Sequence, residues 1–351
     1  MDQVSDLIIV GGGAVGLASA LAASDRGLDV LLITEHRPGQ ASWAAAGMLA
    51  PSIEEFGSRE AETFATAARD RFPSYLAALQ DRTGITVPLN RTGILVIGAP
   101  SPRSTPQHLT KPELAKLEPA LRDSEEAWFY PHDGAVDNVK LLDALEAALA
   151  HSPRVHRVTG PVRSLRVDRD AVTCDMGKAP QLLLAAGAWT SLIEGLPRPL
   201  PIHPMRGQML SLAAAPLTHV VYGPQGYLVP RGGTHTLAGS TMERSGFDAS
   251  TTDHAIAEIR AMANTLCPSL TTASTAAVWA GLRPVTPDFL PIIGHDPDYP
   301  SLLYACGHSR NGVLLAPLTA DCVAALAVGE PSPFSLSPFT VDRFAVTSEA
   351  V

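Results

Sequence analysis

The sequence predicts an α/β protein, α+β overall, in which a doubly wound parallel sheet is interleaved with a mainly antiparallel β-sheet domain. Residues 7–33 contain a buried apolar strand, a helix and a second apolar strand, and another apolar run returns at residues 181–187. Continuous apolar runs of this length are typical of parallel strands buried on both faces. Residues 201–241 instead contain short strand-forming runs separated by turns, which is typical of antiparallel sheets.

Local sequence signals place the other elements. Gly27 ends the first helix and Gly329 the last, and Pro317 favours the first turn of that last helix. The expected elements, in chain order, are a strand at 7–10, a helix at 16–26, a strand at 30–33, a helix at 63–79, short strands within 84–97, a loop at 99–119, a helix at 138–150, a strand at 181–187, strands at 227–230 and 236–239, and helices at 252–266 and 317–329.

Length and composition bound the class of protein. The chain has 351 residues, 46% of them hydrophobic and 17% charged, which suits two structural units with sizeable cores. Acidic residues outnumber basic ones, 35 to 26, and no basic block marks a nucleic-acid footprint. The four cysteines are far apart and predict free thiols in a cytoplasmic protein. No histidine spacing indicates a metal site, so we expect neither metal nor nucleic acid.

The uncharged stretch from Leu7 to Ser24 is 18 residues long, close to the length of a membrane span. Four glycines interrupt it, and no basic segment precedes it. We therefore expect no membrane anchor and no signal peptide.

The glycine loop is the first motif that indicates chemistry. Residues 11–16 match G-x-G-x-x-G directly after a strand and before a helix, where the absent side chains let a pyrophosphate approach the helix N-terminus. In this motif an acidic residue about 20 positions later, at the end of the second strand, binds the ribose. The spacing points to Glu35. However, the strand is expected to end at Ile33, which would put Thr34 at the ribose position. The motif predicts a dinucleotide site without separating NAD from FAD.

Four further segments follow the loop in order, and they decide between the two cofactors. Together they resemble the D-amino-acid-oxidase-like flavoproteins, and within that family the glycine oxidases that serve thiazole synthesis in thiamin production. The resemblance covers nearly the whole chain, and the runs Ala44–Leu49, Ala280–Pro284 and His308–Pro317 are its specific parts. The segments are Gln40–Pro51, Leu184–Trp189, Ala280–Asp288 with Pro291–Gly294, and Gly307–Gly312.

The resemblance implies noncovalent FAD, because no cysteine lies in residues 283–286, where some sarcosine oxidases attach their flavin. It implies an FAD-binding domain made of residues 1–83, 134–200 and 276–351, and a substrate domain made of residues 84–133 and 201–275. The loop at 307–312 would face the flavin pyrimidine. The implied cofactor-binding residues are Gly11, Gly13, Ala14, Val15, Gly16, Thr34, Glu35, Ser42, Ala46, Gly47, Met48, Val162, Ala186, Gly187, Trp189, Arg283, Gly307, His308, Arg310, Asn311, Gly312, Val313 and Leu314.

The resemblance also implies a substrate pocket. Arg283 would bind the substrate carboxylate, with a surface pair to Asp288 as the plain alternative. Tyr227 would add a hydrogen bond to the same carboxylate. The residues that would line the pocket are Met242, Arg310, Met48, Ala50 and Ile53. The alternative for Met242 is core packing, and the alternative for Arg310 is a solvated loop charge. Two positions depart from the family pattern. Trp43 stands where the family has a small polar residue, and Gln225 stands where it has a histidine.

The implied activity is oxidation of glycine, sarcosine and small D-amino acids to a 2-oxo acid, with dioxygen as the acceptor and hydrogen peroxide as a product. No acid–base catalytic residue is required, because orientation over the flavin supplies most of the effect. The implied assembly is a homo-oligomer, a homotetramer by analogy. Two alternatives stay open: an oxidase or dehydrogenase of D-amino or N-methyl amino acids, and a flavin-binding protein without turnover.

Overall fold

The computed structural model describes residues 5–101, 105–121 and 124–344. Within them, no helix is long and apolar enough to cross a membrane. The helices are α1 Ala14–Asp25, α2 Ala41–Ala44, α3 Arg59–Thr83, α4 Lys111–Leu117, α5 Asn138–Ala150, α6 Asp253–Leu266 and α7 Gly312–Ala327, with short 3₁₀ turns at Pro119–Leu121, Gly187–Leu192, Pro268–Leu270, Ser337–Phe339 and Val341–Phe344.

The strands are short except for two long ones in the second half of the chain. In chain order they are β1 Leu7–Val10, β2 Val30–Thr34, β3 Met48–Leu49, β4 Leu89–Asn90, β5 Ile94–Val96, β6 Gln107–Thr110, β7 Glu126–Tyr130, β8 Gly134–Val136, β9 Val155–Thr159, β10 Leu165–Val167, β11 Val172–Cys174, β12 Gly177–Ala179, β13 Gln181–Leu184, β14 His203–Leu212, β15 Val220–Gly223, β16 Gly226–Arg231, β17 His235–Gly239, β18 Thr275–Val285, β19 Ile292–His295 and β20 Leu302–Cys306.

A six-stranded sheet, in the order β19-β20-β13-β1-β2-β9, forms the first layer. All its pairs are parallel except β19 with β20. The apolar runs of β1, β13 and β20 are buried along their whole length or nearly so, as the sequence pattern predicts for central strands. The doubly wound sheet expected from the sequence is confirmed.

An eight-stranded sheet, in the order β18-β14-β17-β16-β15-β5-β7-β6, forms the second layer. Its pairs are antiparallel apart from β15 with β5, so the expected mainly antiparallel sheet is also confirmed. Two small three-stranded sheets, β10-β11-β12 and β3-β8-β4, complete the strand pairing. Helix α6 packs on the eight-stranded sheet and shares its core through Ile259 and Met262.

The segment expected to be a loop at 99–119 contains β6 and α4, so that expectation was wrong. Thr110 and Glu113 form a capping box, in which each side chain bonds the other's backbone, and Pro112 lies in the first turn. Both features favour a helix start. The many prolines of this segment indicated a loop and outweighed the capping signal in the sequence analysis.

The last helix also differs from its expectation, because it begins at Gly312 and carries Pro317 inside it. Proline removes one backbone donor, which leaves the carbonyl of Val313 without its helical partner. The buried side chains along α7, among them Leu314, Leu318 and Val323, pack in the core with α1 and α3 and hold the helix in place. Tertiary packing therefore outweighs the proline.

The division into two domains stays a prediction. The strands of the six-stranded sheet come from residues inside the ranges 1–83, 134–200 and 276–351. Strand β18 begins at Thr275 and belongs to the eight-stranded sheet, although most of it lies in a range assigned to the FAD-binding domain.

Candidate functional site

A cavity of about 610 Å³ lies where the parallel strands end. The residues that follow β1, β2, β13 and β20 all contribute to its wall, and the eight-stranded sheet closes it from the other side. Ligands of open α/β sheets bind at this edge, where loops from adjacent strands meet. The cavity is therefore the candidate site.

The glycine loop forms one end of the cavity. Gly11 has φ +132°, and a Cβ there would lie 2.2 Å from the carbonyl oxygen of Ala185. A Cβ at Gly16 would lie 2.0 Å from the oxygen of Gly11, so both positions require glycine. Gly13 caps α1 and has no side chain, while Ser42 Oγ accepts a hydrogen bond of 3.0 Å from the backbone N–H of Ala14. This helix start carries no acidic side chain in its first turn, so it is a cradle that fits a pyrophosphate.

Glu35 is the residue that the spacing of the glycine motif predicts to bind the ribose. Strand β2 continues to Thr34, one residue further than expected, so Glu35 directly follows the strand. Its carboxylate pairs with Arg37 at 2.6 Å, and the Arg37 guanidinium lies 5.6 Å from the centre of the Trp189 ring. Trp189 also contacts Phe247, with the two rings tilted by 30° and 6.2 Å between ring centres. A charged and aromatic rim thus lies along this part of the cavity.

The segment from Ser42 to Gly47 is held by two side chains that the sequence analysis did not single out. Arg231 donates to the carbonyl oxygens of Ala46 at 2.7 Å and Val136 at 2.9 Å. Asn138 donates to the carbonyl oxygen of Ser42 at 2.8 Å and accepts from Arg231. Burial lowers the pKa of Arg231, and the nearby Asp137 opposes that shift. The cavity wall is therefore rigid here.

The loop before α7 forms the floor of the cavity. Gly307 has φ +70° and Ser309 φ 51°, and the backbone N–H of Ser309 donates to the oxygen of Pro284 at 3.0 Å. The N-cap Asn311 makes no side-chain cap, so the N-terminus of α7 is open toward the cavity. Burial lowers the pKa of His308 to about 3 and raises that of the Cys306 thiol to about 12. Both side chains are thus neutral at pH 7.

Arg283 lines the part of the cavity that the eight-stranded sheet closes, called the substrate end below. It extends from β18 over β14, where a Cβ at Gly207 would lie 2.1 Å from its Nη1 atom. Its guanidinium donates to Ser240 Oγ at 2.6 Å and to the oxygen of Thr241 at 3.2 Å. Within the described residues, Arg283 makes no salt bridge. Asp288, the alternative partner from the sequence, pairs with Arg343 at 2.7 Å instead. Arg283 is therefore a fixed cation that can bind a carboxylate.

Two tyrosines line the wall beside Arg283. Tyr227 and Tyr222 stack with 6.2 Å between ring centres, and the Tyr227 hydroxyl donates to Met209 Sδ at 3.4 Å. Met242 lines the mouth and is 48% exposed, so it is not core packing. Because the Tyr227 hydroxyl donates only to a weak sulfur acceptor, it can turn and donate to a stronger one.

Glu54 is an ionisable residue of this wall that the sequence analysis did not single out. It forms an ion pair with Arg310, and its side chain is 9% exposed. Burial raises the pKa of Glu54, although the charges of Arg310 and Arg283 act against that shift. Glu54 and Arg310 are 256 residues apart in sequence, so no local pattern could have revealed the pair.

The structure gathers most of the expected site residues around this one cavity. The lining includes Arg283, Tyr227, Met242, Met48, Ala50, Arg310, Gly11, Gly13, Val15, Glu35, Ser42, Ala46, Gly47, Val162, Ala186, Gly187, Trp189, Gly307, His308, Asn311, Gly312 and Val313, together with Gln225.

Several expected residues lie just behind the wall. Ile53 packs in the cluster of Met48, Trp128 and Tyr130, because the chain turns after Ala50. Ile53 is therefore not in the cavity lining, which corrects the expectation that it would line the pocket. Trp43 is 37% exposed outside the lining. The others outside the lining are Ala14, which bonds Ser42, Gly16, which packs on Gly11, Thr34, whose side chain faces Gly12, and Leu314, which is in the core.

Comparisons with known proteins agree with this geometry. Residues 6–326 match the family model described as DAO, FAD dependent oxidoreductase. The chain is 31% identical over 356 residues to the glycine oxidase of Pseudomonas aeruginosa, covering 94% of this chain and 98% of that protein. The crystal structure of glycine oxidase from Geobacillus kaustophilus superimposes with a TM-score of 0.89 at 29% identity, covering 97% of this chain and 98% of the other.

A second kind of relative is longer than this chain. The bifunctional protein ThiO/ThiG of Synechocystis is 34% identical over 368 residues, which are 99% of this chain but 55% of that protein. The chain thus spans about half the length of this relative. The family match accounts for the FAD cofactor, and the glycine cradle and the open N-terminus of α7 described above fit it. This chain belongs to the family of FAD-dependent oxidoreductases of the D-amino-acid-oxidase type.

Proposed function

We propose that this protein oxidises glycine, sarcosine and small D-amino acids to the corresponding 2-oxo acid. The observation that carries the proposal is Arg283, a fixed guanidinium in the cavity that has no carboxylate partner within the described residues. An α-amino acid supplies that partner as a bidentate carboxylate. The similarity over nearly the full length to glycine oxidases supports the same substrate class.

The proposed reaction removes two electrons and two protons from the amine to give an imine. Water then hydrolyses the imine to the 2-oxo acid and ammonia, or methylamine from sarcosine, while dioxygen is reduced to hydrogen peroxide. FAD, when bound, supplies the two-electron acceptor for this chemistry.

The protein's own groups orient the substrate. Arg283 would hold the carboxylate, and Tyr227 would turn its hydroxyl from Met209 toward the same group. Fixing the carboxylate with two side chains converts a bimolecular encounter into an oriented one. The open N-terminus of α7 would favour negative charge at the cavity floor.

Small substrates fit the cavity wall near Arg283. Met48 and Ala50 line it, and Tyr222 and Tyr227 stack beside them. A pocket sized for hydrogen or methyl rejects larger side chains by steric overlap. We therefore expect glycine to react faster than D-amino acids with bulky side chains.

The test is an anaerobic titration of the FAD-loaded protein with a panel of amines, monitored by the visible flavin absorbance. Glycine, sarcosine and D-alanine should bleach the flavin, and D-phenylalanine should do so much more slowly. Faster bleaching by D-phenylalanine would favour a general D-amino-acid oxidase. Bound flavin that no amine reduces would contradict an oxidase and favour a flavin-binding protein without turnover.

We also propose that the FAD is held noncovalently. Cys306, the cysteine that lines the cavity in the described residues, is buried, and its raised pKa keeps it a thiol. Acid precipitation should release all the flavin into the supernatant. Flavin that stays in the pellet would contradict this proposal.

The cellular role extends the proposal further. The resemblance to thiazole-synthesis glycine oxidases suggests that the imine feeds thiamin production, and the similarity to ThiO/ThiG supports it. Cytoplasmic location and a homo-oligomeric state belong to the same proposal. Deletion of the gene in the source organism should then create a growth requirement that thiazole relieves.

A further inference from the structure

Besides Arg283, another cation acts on the cavity wall around Glu54: Arg310, whose charge Glu54 neutralises in an ion pair. The two residues come from different parts of the fold, Glu54 from the loop after β3 and Arg310 from the loop before α7. Both line the cavity, but they differ in access, because the side chain of Arg310 is 42% exposed and that of Glu54 only 9%. The carboxylate is thus the enclosed member of the pair.

Glu54 is held in place by a buried network. The Ser52 hydroxyl donates to Asp133 Oδ1 at 3.0 Å, and the Ser52 backbone N–H donates to Asp133 Oδ2 at 3.1 Å. Arg69 donates to Asp133 Oδ1 at 2.8 Å, and Asp133 is 0% exposed. These bonds anchor the loop two residues before Glu54, and the backbone N–H of Glu54 donates to the Ala50 oxygen at 3.2 Å. The carboxylate therefore has a defined position.

The charges around Glu54 can be counted element by element. Arg310 and Arg283 act on it as cations, and Glu55 acts as the neighbouring carboxylate of its own loop. Burial raises the pKa of the Tyr222 hydroxyl, on β15, where the charge of Glu54 adds to the shift and that of Arg310 opposes it. With Arg310 and Glu54 cancelling, the substrate end of the cavity carries the single uncompensated charge of Arg283. That balance suits a ligand with one carboxylate.

We infer that Glu54 sets the charge class of the substrate, admitting amines with a single carboxylate and rejecting those that carry a second one on the nitrogen or the α-carbon. A second carboxylate would face Glu54 in an enclosed space, where like charges repel strongly. Without the Glu54 charge, Arg310 would become available to pair with that second group. This inference rests on the proposed function and names its selectivity.

The first test compares substrates in the variant Glu54→Gln, which keeps the side-chain size and removes the charge. Iminodiacetate is glycine with a carboxymethyl group on nitrogen, and N-ethylglycine carries an uncharged ethyl group of similar length at the same place. The measurement is the second-order rate constant of anaerobic flavin reduction. The iminodiacetate-to-glycine ratio should rise about tenfold or more over the unmodified protein, whereas the N-ethylglycine-to-glycine ratio should change less than about threefold.

Glu55→Gln is the matched control, because it removes the same charge from the next residue, which is exposed and outside the cavity lining. Its iminodiacetate-to-glycine ratio should stay within about threefold of the unmodified protein. Adding Arg310→Met to Glu54→Gln should abolish the gain. An unchanged ratio in Glu54→Gln, or an equal rise in Glu55→Gln, would overturn the inference.

A binding measurement separates this inference from the proposed function. Malonate and acetate are titrated into the oxidised protein, and their affinities are read from the flavin spectrum. Glu54→Gln should shift the malonate-to-acetate affinity ratio upward by about tenfold, and Arg310→Met should lower it. Ratios that do not move would overturn the inference even where glycine reduces the flavin. The expected shift without reduction by any amine would uphold the charge selection and contradict the proposed oxidase.

Discussion

The two ends of the cavity are built from different parts of the chain. At the glycine loop, the wall consists of backbone, with Gly11 and Gly16 so close to neighbouring carbonyl oxygens that no side chain fits. At the substrate end, the wall consists of long side chains, Arg283, Tyr227 and Glu54, held by partners elsewhere in the fold. A backbone-built end binds one constant ligand, whereas a side-chain-built end can change its ligand through single substitutions.

The largest effect should come from adding one methyl group to the backbone-built end. In Gly11→Ala, the new Cβ would meet the Ala185 oxygen at 2.2 Å with φ at +132°, so the loop must move. Overpacking of this kind costs about 1–3 kcal/mol or more, and it displaces the cradle itself. The purified variant should be colourless, with an FAD dissociation constant raised by about two decades or more, measured by fluorescence titration.

Gly27→Ala is the control for this prediction. Gly27 also has a positive φ, +89°, but nothing lies within 4 Å of its Cβ position. This variant should keep its flavin and lose only about 1–2 kcal/mol of stability through backbone strain. Equal FAD affinity in both variants would show that the loop does not hold the cofactor.

The next effect in size should come from the substrate end. Arg283→Leu removes the proposed carboxylate partner, and an unpaired buried charge costs about 3–5 kcal/mol, or roughly two to four decades in kcat/KM for glycine. The flavin spectrum should be unchanged. Arg283→Lys should recover part of the loss, because a lysine cannot bind two oxygens in the same fork. Near-normal kinetics in Arg283→Leu would assign carboxylate binding to another cation.

Stability in acid should depend on His308, in the loop that forms the cavity floor. Burial lowers the pKa of His308 to about 3. Below about pH 6.5 the unfolded chain takes up a proton at this histidine that the folded protein cannot. The free energy of unfolding therefore decreases as the pH is lowered, by up to about 1.4 kcal/mol per pH unit. This stability is complete above pH 6.5 and is lost progressively toward pH 3.

His308→Gln should flatten that dependence, as measured by urea unfolding of the flavin-saturated protein between pH 7 and pH 4.5. The glutamine can keep the polar contact to Thr319, which lies 3.3 Å from His308 Nε2. His254→Gln is the control, because its side chain is 84% exposed and should leave the slope unchanged. A slope that does not differ between the His308 variant and the unmodified protein would contradict a neutral buried imidazole.

The smallest effect should come from Tyr227→Phe. A single hydrogen bond contributes about 0.5–1.5 kcal/mol, so KM for glycine should rise about twofold to tenfold, with a smaller change in kcat. Tyr299→Phe, outside the cavity lining, should change neither constant. A fall in kcat without a change in KM would assign Tyr227 to the reaction step and not to substrate binding.

Sequence reasoning reached the two ends of the cavity by different routes. The Gly11–Gly16 cradle is local and follows from its position between a strand and a helix. Arg283 and Tyr227 came from the resemblance, because their partners Ser240, Thr241 and Met209 are far away along the chain. Glu54 and Arg231 were missed for the same reason, since each is defined by contacts with residues far away along the chain.

Secondary structure was predictable where one signal dominated and was misjudged where two competed. Helix α5 matched its expected bounds, because Asp137 caps an unbroken apolar pattern. Prolines hid the capping box of α4 and moved the expected start of α7 to Pro317. In both segments, capping or core packing outweighed the local preference of proline.

Arg231 has a consequence for how substrate enters. It projects from β16 of the eight-stranded sheet and binds the carbonyl oxygens of Ala46, just before β3, and of Val136, on β8 of a small three-stranded sheet. Separating these two sheets would leave a buried guanidinium without its partners, at a cost of about 3–5 kcal/mol. An opening motion that separates them is thus disfavoured. We expect the amino acid and the product to pass through a fixed opening beside Met242, and turnover should tolerate a crosslink between the two sheets.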